Sequence, residues 1–311
     1  MVAAVRVHRY GGPEVLQYEE VEVPPPGQGE IRVRQTVIGV NYIDTYFRSG
    51  AYQAPSLPFV AGNEAAGEVV AVGPGVSGYK PGDRVAYVAT LGCYTAERNV
   101  PVGVVVKLPE GVSDETAAAM LLKGLTAEYL LHRVYRVKAG DTILMHAAAG
   151  GVGLILCQWA KHLGATVIGT VGSEEKGKLA RENGCDHVIL YRSEDVAKRV
   201  AEITGGAKVP VVYDGVGKTT FQGSLDSLAP LGILASFGSS SGKVEPFDLG
   251  VLAAKGSLFV TRPTLGTFMG RREWLDDMAK NLFGVVASGA VKIAVHHRAK
   301  LKDAVEVHRS L

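Results

Sequence analysis

The sequence has 311 residues, a formal net charge of +2, 47% hydrophobic residues, 39 glycines and three cysteines. That length holds one large domain or two ordinary ones, and the near-neutral charge gives no field that would draw nucleic acid or acidic lipid. No apolar run reaches the ~18 residues a membrane-spanning helix needs. Residues 1–12 carry Arg6, His8 and Arg9 inside a short alternating stretch, which is not a secretory signal. Cys93, Cys157 and Cys185 are widely spaced and form no C-x-x-C pair. Their odd number argues against a disulfide framework or a structural zinc lobe and predicts a reducing, cytoplasmic setting.

In chain order, short alternating or β-branched runs come first, at 2–8, 31–37, 68–72, 84–88 and 102–107. Turn clusters rich in Gly and Pro separate them, at 24–27 and 80–83, so the first third predicts an all-β barrel or sandwich. From about Thr142 the rhythm changes. Strands are predicted at 142–146, 166–171, 187–190, 209–214, 232–237 and 258–261, alternating with helices at 152–163, 174–183, 194–204 and 219–228. Six strands with crossover helices predict an α/β unit with a doubly wound parallel sheet. The tail, 271–311, reads as two helical stretches around one more strand at 291–296.

The turn Ala147-Ala148-Ala149-Gly150-Gly151-Val152-Gly153 joins a predicted strand to a predicted helix. In that context the glycines mark a dinucleotide site. Gly150 lets the backbone approach a pyrophosphate, Gly153 lets the helix pack on the strand, and the amides of Gly151 and Val152 open the helix toward the phosphates. Ala148 stands where the first glycine of G-x-G-x-x-G is usual. The next strand ends in Gly172-Ser173, with no Asp or Glu to bind a ribose 2′-hydroxyl. With Lys176 just beyond and Tyr191 after the third strand, this end would accept a 2′-phosphate. The rival reading makes Lys176 one more solvated lysine in a charged run.

Gly140-Asp141, Leu144, Ala148-Ala149-Gly150-Gly151-x-Gly153, Gln158 and Lys161 together resemble the signature of quinone oxidoreductases related to zeta-crystallin, in the medium-chain dehydrogenase/reductase superfamily. Segments 39–44, 62–67, 80–85, 212–217 and 260–263 extend the resemblance over nearly the whole chain. It implies a GroES-like β-rich catalytic domain at 1–123, a Rossmann domain at 124–262 and a return to the catalytic domain at 263–311. The active site would lie in the cleft between them. It also implies NADPH as cofactor and reduction of a quinone by hydride transfer. Zinc-dependent relatives place a Cys near Asn41, a His where Asn63 stands and a Cys or acid near Lys123. Amides and an ammonium are poor zinc ligands, so no metal is expected. Lys123 would instead pair with Glu64, as structure or as catalysis.

Hydride transfer needs close positioning and donors for charge developing on oxygen. Asn41, Tyr46 and Tyr52 are the candidates, with Asp44 orienting its neighbours, and the resemblance sets Arg262 beside nicotinamide and substrate. Aromatic packing under a loop is an equal reading of Tyr46 and Tyr52, and a structural arginine is a rival reading of Arg262. Thr126 resembles a cofactor contact. Phe237, Gly238 and Ser240 follow a predicted strand at the edge where ligands bind. None of the eight histidines stands in a recognisable triad, and His296-His297 reads as a solvated turn.

Reduction of enones or enoyl thioesters on the same fold is an alternative function. Less favoured is a non-enzymatic crystallin-type or RNA-binding role, against which the weak net charge counts. Family dimers form through the edge strand equivalent to 258–261, so a homodimer is expected. Relatives also continue past the helix at 303–311 into a last strand, so a gap in the β-rich domain is expected.

Overall fold

The alternating runs pair into three sheets in a computed structural model that describes residues 1–88 and 91–311. The chain divides into two compact units, one of residues 1–122, 269–283 and 293–311, the other of 123–268 and 284–292.

The first unit contains β1 (Val2–Val7), β2 (Leu16–Val21), β3 (Glu30–Gly39), β4 (Phe59–Val60), β5 (Glu64–Val72), β6 (Arg84–Val88), β7 (Glu97–Pro101) and β8 (Val105–Lys107). They form two antiparallel sheets in the orders β2-β1-β4 and β7-β3-β5-β6-β8. Every second residue points inward, so Ile31 and Val33 of β3 meet Val69, Val85 and Val105 in one core. Residues 102–107 do not form one strand. Val102–Val104 make a single tight helical turn, closed by the Val105 amide on the Val102 carbonyl, and pairing begins only at Val105. Helix α1 (Tyr42–Ser49) follows β3, and α2 (Asp114–Tyr129) follows β8. Sequence periodicity does not reveal α2, because its Ala- and Leu-rich run has no polar face.

In the second unit β9 (Thr142–Met145), β10 (Thr166–Val171), β11 (His187–Leu190), β12 (Val209–Asp214), β13 (Leu228–Ser236) and β14 (Phe259–Thr261) form one parallel sheet. Its order is β11-β10-β9-β12-β13-β14, so the winding reverses between β9 and β12. That is the doubly wound Rossmann arrangement, and ligands bind at the carboxyl ends of such strands near the reversal. Between strands run α3 (Gly151–His162), α4 (Glu174–Glu182), α5 (Val196–Ile203), α6 (Phe221–Ser227) and α7 (Gly250–Ala254), with α8 (Leu265–Met269) after β14. Leu144, Ile168, Ile189, Val212 and Leu234 fill the layer between sheet and helices.

The chain then returns through α9 (Arg272–Ala287) and ends in α10 (Ala304–Arg309). The strand expected at 291–296 is not there. A strand needs a backbone neighbour, and here the Val291 amide bonds Val285 O (3.0 Å) while Lys292 N bonds the Gln158 side chain (2.9 Å). No helix among the described residues is long and apolar enough to cross a membrane.

Candidate active site

In the second unit the candidates line the carboxyl edge of the parallel sheet. After β9 the chain turns sharply, with Ala147 in the left-handed region at φ 53°. Gly150 caps α3, and Gly150 and Gly151 are exposed. At Gly153 a Cβ would stand 2.4 Å from Ala147 O and 2.6 Å from Ala148 O, so only glycine lets the helix sit this close to the turn. The first-turn amides of α3 thus open onto an exposed, dipole-positive end suited to a pyrophosphate. The Lys123 stem lies beside it, 2.9 Å from where a Gly151 Cβ would stand, and Thr126 is buried one turn along α2.

Strand β10 ends at Val171, and Gly172 follows with no carboxylate at the tip. A Cβ on Gly172 would meet Tyr191 Oη at 2.8 Å and Arg192 Nε at 3.4 Å. Ser173 caps α4 by accepting Lys176 N (3.3 Å), which leaves its hydroxyl proton to donate. The fold therefore brings two predicted residues, Ser173 and Tyr191, together at Gly172 and adds Arg192, while Lys176 lies in the first turn of α4 with its backbone amide on Ser173. That arginine follows Tyr191 directly in sequence, the one signal that would have revealed it. A guanidinium and two hydroxyls around a glycine, with a lysine in the helical turn that follows, fit a phosphate ester.

Farther along the edge, Phe237 packs its ring 3.0 Å from a Cβ position at Gly215, and Ser240 N bonds Gly215 O (3.3 Å). Arg262 donates Nη1 to Ser236 O (2.6 Å). The carbonyl ties the guanidinium to the end of β13, a structural contact for a residue also expected at the substrate.

Beneath this edge lies a Ser, His and Asp set with a different purpose. Ser224 donates to Asp214 (2.9 Å), and His146 joins Ser224 (3.0 Å) and Thr170 (3.0 Å). Asp214 also accepts the amides of Val216 (2.8 Å) and Gly217 (3.0 Å). All three side chains are buried, and burial holds His146 below its ordinary pKa. Ser224 gives its proton to the carboxylate, so it is no nucleophile; the set braces the turn after β12.

In the first unit Asn41 caps α1, and its backbone amide donates to Asp44 Oδ2 (2.9 Å). Asp44 also accepts Asn63 Nδ2 (2.8 Å) and Tyr94 Oη–H (3.0 Å). Asn41 Nδ2 donates to Glu64 Oε2 (2.6 Å), and Leu122 N donates to Glu64 Oε1 (2.7 Å). Asn41, Asp44, Asn63 and Glu64 are all buried. Burial, with the Glu64 charge adding to it, pushes the Asp44 carboxyl up to about 6 against the pull of its three donors. Tyr46 and Tyr52 are half-buried, their rings 5.0 Å apart, with Tyr42 and Phe47 edge-on to them. This is one aromatic cluster against α1, which serves packing and also presents flat faces.

Comparison with known proteins identifies the lineage. Residues 27–139 match the alcohol dehydrogenase GroES-like domain and residues 151–283 the zinc-binding dehydrogenase family. A quinone oxidoreductase of Pseudomonas aeruginosa is 51% identical, the alignment covering 100% of this chain and 96% of that one. The chain belongs to the quinone oxidoreductase family. Among solved structures, a Pseudomonas syringae quinone oxidoreductase superposes with a TM-score of 0.98 at 50% identity, covering 100% of this chain and 96% of that one. An Escherichia coli quinone oxidoreductase complexed with NADPH superposes with a TM-score of 0.97 at 49% identity, covering 99% and 95%. The family's fold, a GroES-like domain with a Rossmann nucleotide domain, is the one described above.

For this quinone oxidoreductase-family chain the zinc positions read from sequence carry a further expectation. Asn41 and Asn63 already give their amides to carboxylates, and no group of three or more His, Cys, Asp or Glu residues suited to a metal occurs among the described residues. Dialysis against a strong chelator is expected to leave quinone reduction intact. Stoichiometric zinc, or a rate restored only by adding zinc, would contradict that.

Proposed function

We propose that this chain reduces quinones with NADPH and without a metal. The observation that carries the reading is the tip of β10, where Gly172 stands in the place of an acid, Tyr191 and Arg192 close on it, and Ser173 opens the helix that carries Lys176. When bound, NADPH supplies the two-electron reducing equivalent at its nicotinamide. The chain's own residues do the rest. The first-turn amides of α3, opening at Gly151 and Val152 behind the close-approach turn Ala149-Gly150, would hold the pyrophosphate, and Ser173, Lys176, Tyr191 and Arg192 would hold the 2′-phosphate. Thr126, Phe237 and Ser240 complete the cofactor contacts. Asn41, Asp44, Tyr46, Tyr52 and Arg262 serve the acceptor: tyrosine rings offer flat faces and hydroxyl donors, and Asp44 holds a proton at its carboxyl up to about pH 6.

NADPH oxidation followed with a quinone series beside an enone series tests this reading. Turnover of quinones well above that of enones is expected; the reverse order would assign the chain to alkene reduction. The same reading places the protein in the cytoplasm, with no nucleic-acid partner.

We also propose a homodimer joined at β14. Strand β14 is the outer strand of its sheet, and its Phe259 and Val260 are 58% and 36% exposed. An edge strand with apolar side chains invites pairing. Light scattering at micromolar concentration should give twice the chain mass, and Val260→Lys should shift it to the monomer. A monomeric wild type would end the proposal.

A further inference from the structure

One buried chain of hydrogen bonds in the first unit has a fixed direction. Arg48 Nη1 lies 3.1 Å from His308 Nδ1, His308 Nε2 lies 2.9 Å from Tyr94 Oη, and Tyr94 Oη lies 3.0 Å from Asp44 Oδ2. A guanidinium only donates, so His308 Nδ1 must accept. The neutral ring then carries its proton on Nε2 and donates it to Tyr94. Tyr94, already accepting, turns its own proton to Asp44. Running the chain the other way would need an acceptor on Arg48, which has none.

The arrangement is held at some cost. Arg48 Nε is buried with no hydrogen-bond partner among the described residues, so the side chain keeps its contact with His308 although another donor goes unmet. His308, on the short terminal helix α10, is 4% exposed and lies edge-on to the Tyr94 ring. Burial and the facing Arg48 charge push the His308 imidazole down to about 4, because protonated Nδ1 would point at a guanidinium. His308 is therefore an orienting group that stays neutral, not a switch. The other charged or titratable groups around the chain are Glu64 and the Cys93 thiol near Asp44, and Glu14 and Tyr42 near Arg48.

We propose that Tyr94 and His308, the second from the far end of the sequence, are positioning residues for Asp44: they keep one hydroxyl donor fixed on Oδ2 and so set when this carboxyl releases its proton. The proposal rests on the reading of Asp44 as part of the quinone site, but its first test does not. Carbon-13 titration of the Asp44 carboxyl in the cofactor-free protein should give a midpoint near 6. Tyr94→Phe removes the donor, and the midpoint should rise by about one to two pH units, the value of a hydrogen bond to a charged group. His308→Leu should move it in the same direction. His308→Gln, whose amide can accept from Arg48 and donate to Tyr94, should restore the original midpoint. Nitrogen-15 spectra should show His308 as the Nε2–H tautomer from pH 5 to 8.

In turnover, the limb of the kcat profile belonging to Asp44 should follow the same shifts in the same variants. An unmoved Asp44 midpoint in Tyr94→Phe, or a His308 that is Nδ1–H or charged at pH 6, would overturn the proposal. If the midpoints shift as expected but no quinone is reduced, the functional reading fails and the positioning role stands.

Discussion

Replacing Lys176 by alanine should weaken NADPH binding by about 10- to 150-fold and leave NADH binding almost unchanged. A 2′-phosphate carries close to two negative charges and several acceptor oxygens, and a hydrogen bond to a charged group is worth roughly 1.5–3 kcal/mol. Lys176 sits in the first turn of α4, its backbone amide on Ser173 Oγ at 3.3 Å, beside the Gly172 tip that Tyr191 and Arg192 cover. NADH presents only a hydroxyl there, so it has little to lose. Arg192 shares the pocket, so the double variant should lose less than the product of the single losses. Dissociation constants for both cofactors, measured on wild type and Lys176→Ala, check the expectation. Equal losses, or none for either cofactor, would show that the lysine does not read the 2′-phosphate.

The second large effect is expected at Gly153, and it should not discriminate between the cofactors. A Cβ there stands 2.4 Å and 2.6 Å from two backbone carbonyl oxygens, and backbone cannot swing aside as a side-chain tip can. The turn that must yield already holds Ala147 at φ 53°, so it has little freedom to absorb the shift. Gly153→Ala should cost about 1–3 kcal/mol of stability, as overpacking does. By moving the first-turn amides of α3 off the pyrophosphate it should also weaken NADPH and NADH alike, by about 10-fold or more. Denaturant titration with binding of both cofactors measures this. A selective loss of NADPH alone would mean that the turn does not hold the phosphates.

These two residues show what the sequence makes legible. The glycine turn and the strands at 166–171, 187–190 and 209–214 are readable because continuous β-branched runs sit between turn signals, and the observed bounds agree. Helix α2 is not readable, since its run of Ala and Leu carries no polar face and so no period to detect. The strand expected at 291–296 failed for the opposite reason: its composition suits a strand, but its first two amides are engaged by α9 and Gln158. Local chemistry named Lys176, Ser173 and Tyr191. It missed Arg192, adjacent to one of them, because a single exposed arginine carries no pattern. The chain of contacts from Asp44 through Tyr94 to His308 lay beyond reach for a different reason. Tyr94 and His308 are 214 positions apart, and only the fold brings them within 2.9 Å.

The central claim is that this chain passes electrons from NADPH to a quinone, with the 2′-phosphate pocket deciding the donor. The most direct test is kcat/KM for NADPH and for NADH with one simple benzoquinone acceptor, in buffer containing a chelator. The account predicts quinone-dependent oxidation of NADPH at least about 10-fold more efficient than that of NADH, the minimum that one charged hydrogen bond to the phosphate supplies. Equal efficiencies, a preference for NADH, or no quinone-dependent oxidation at all would contradict it.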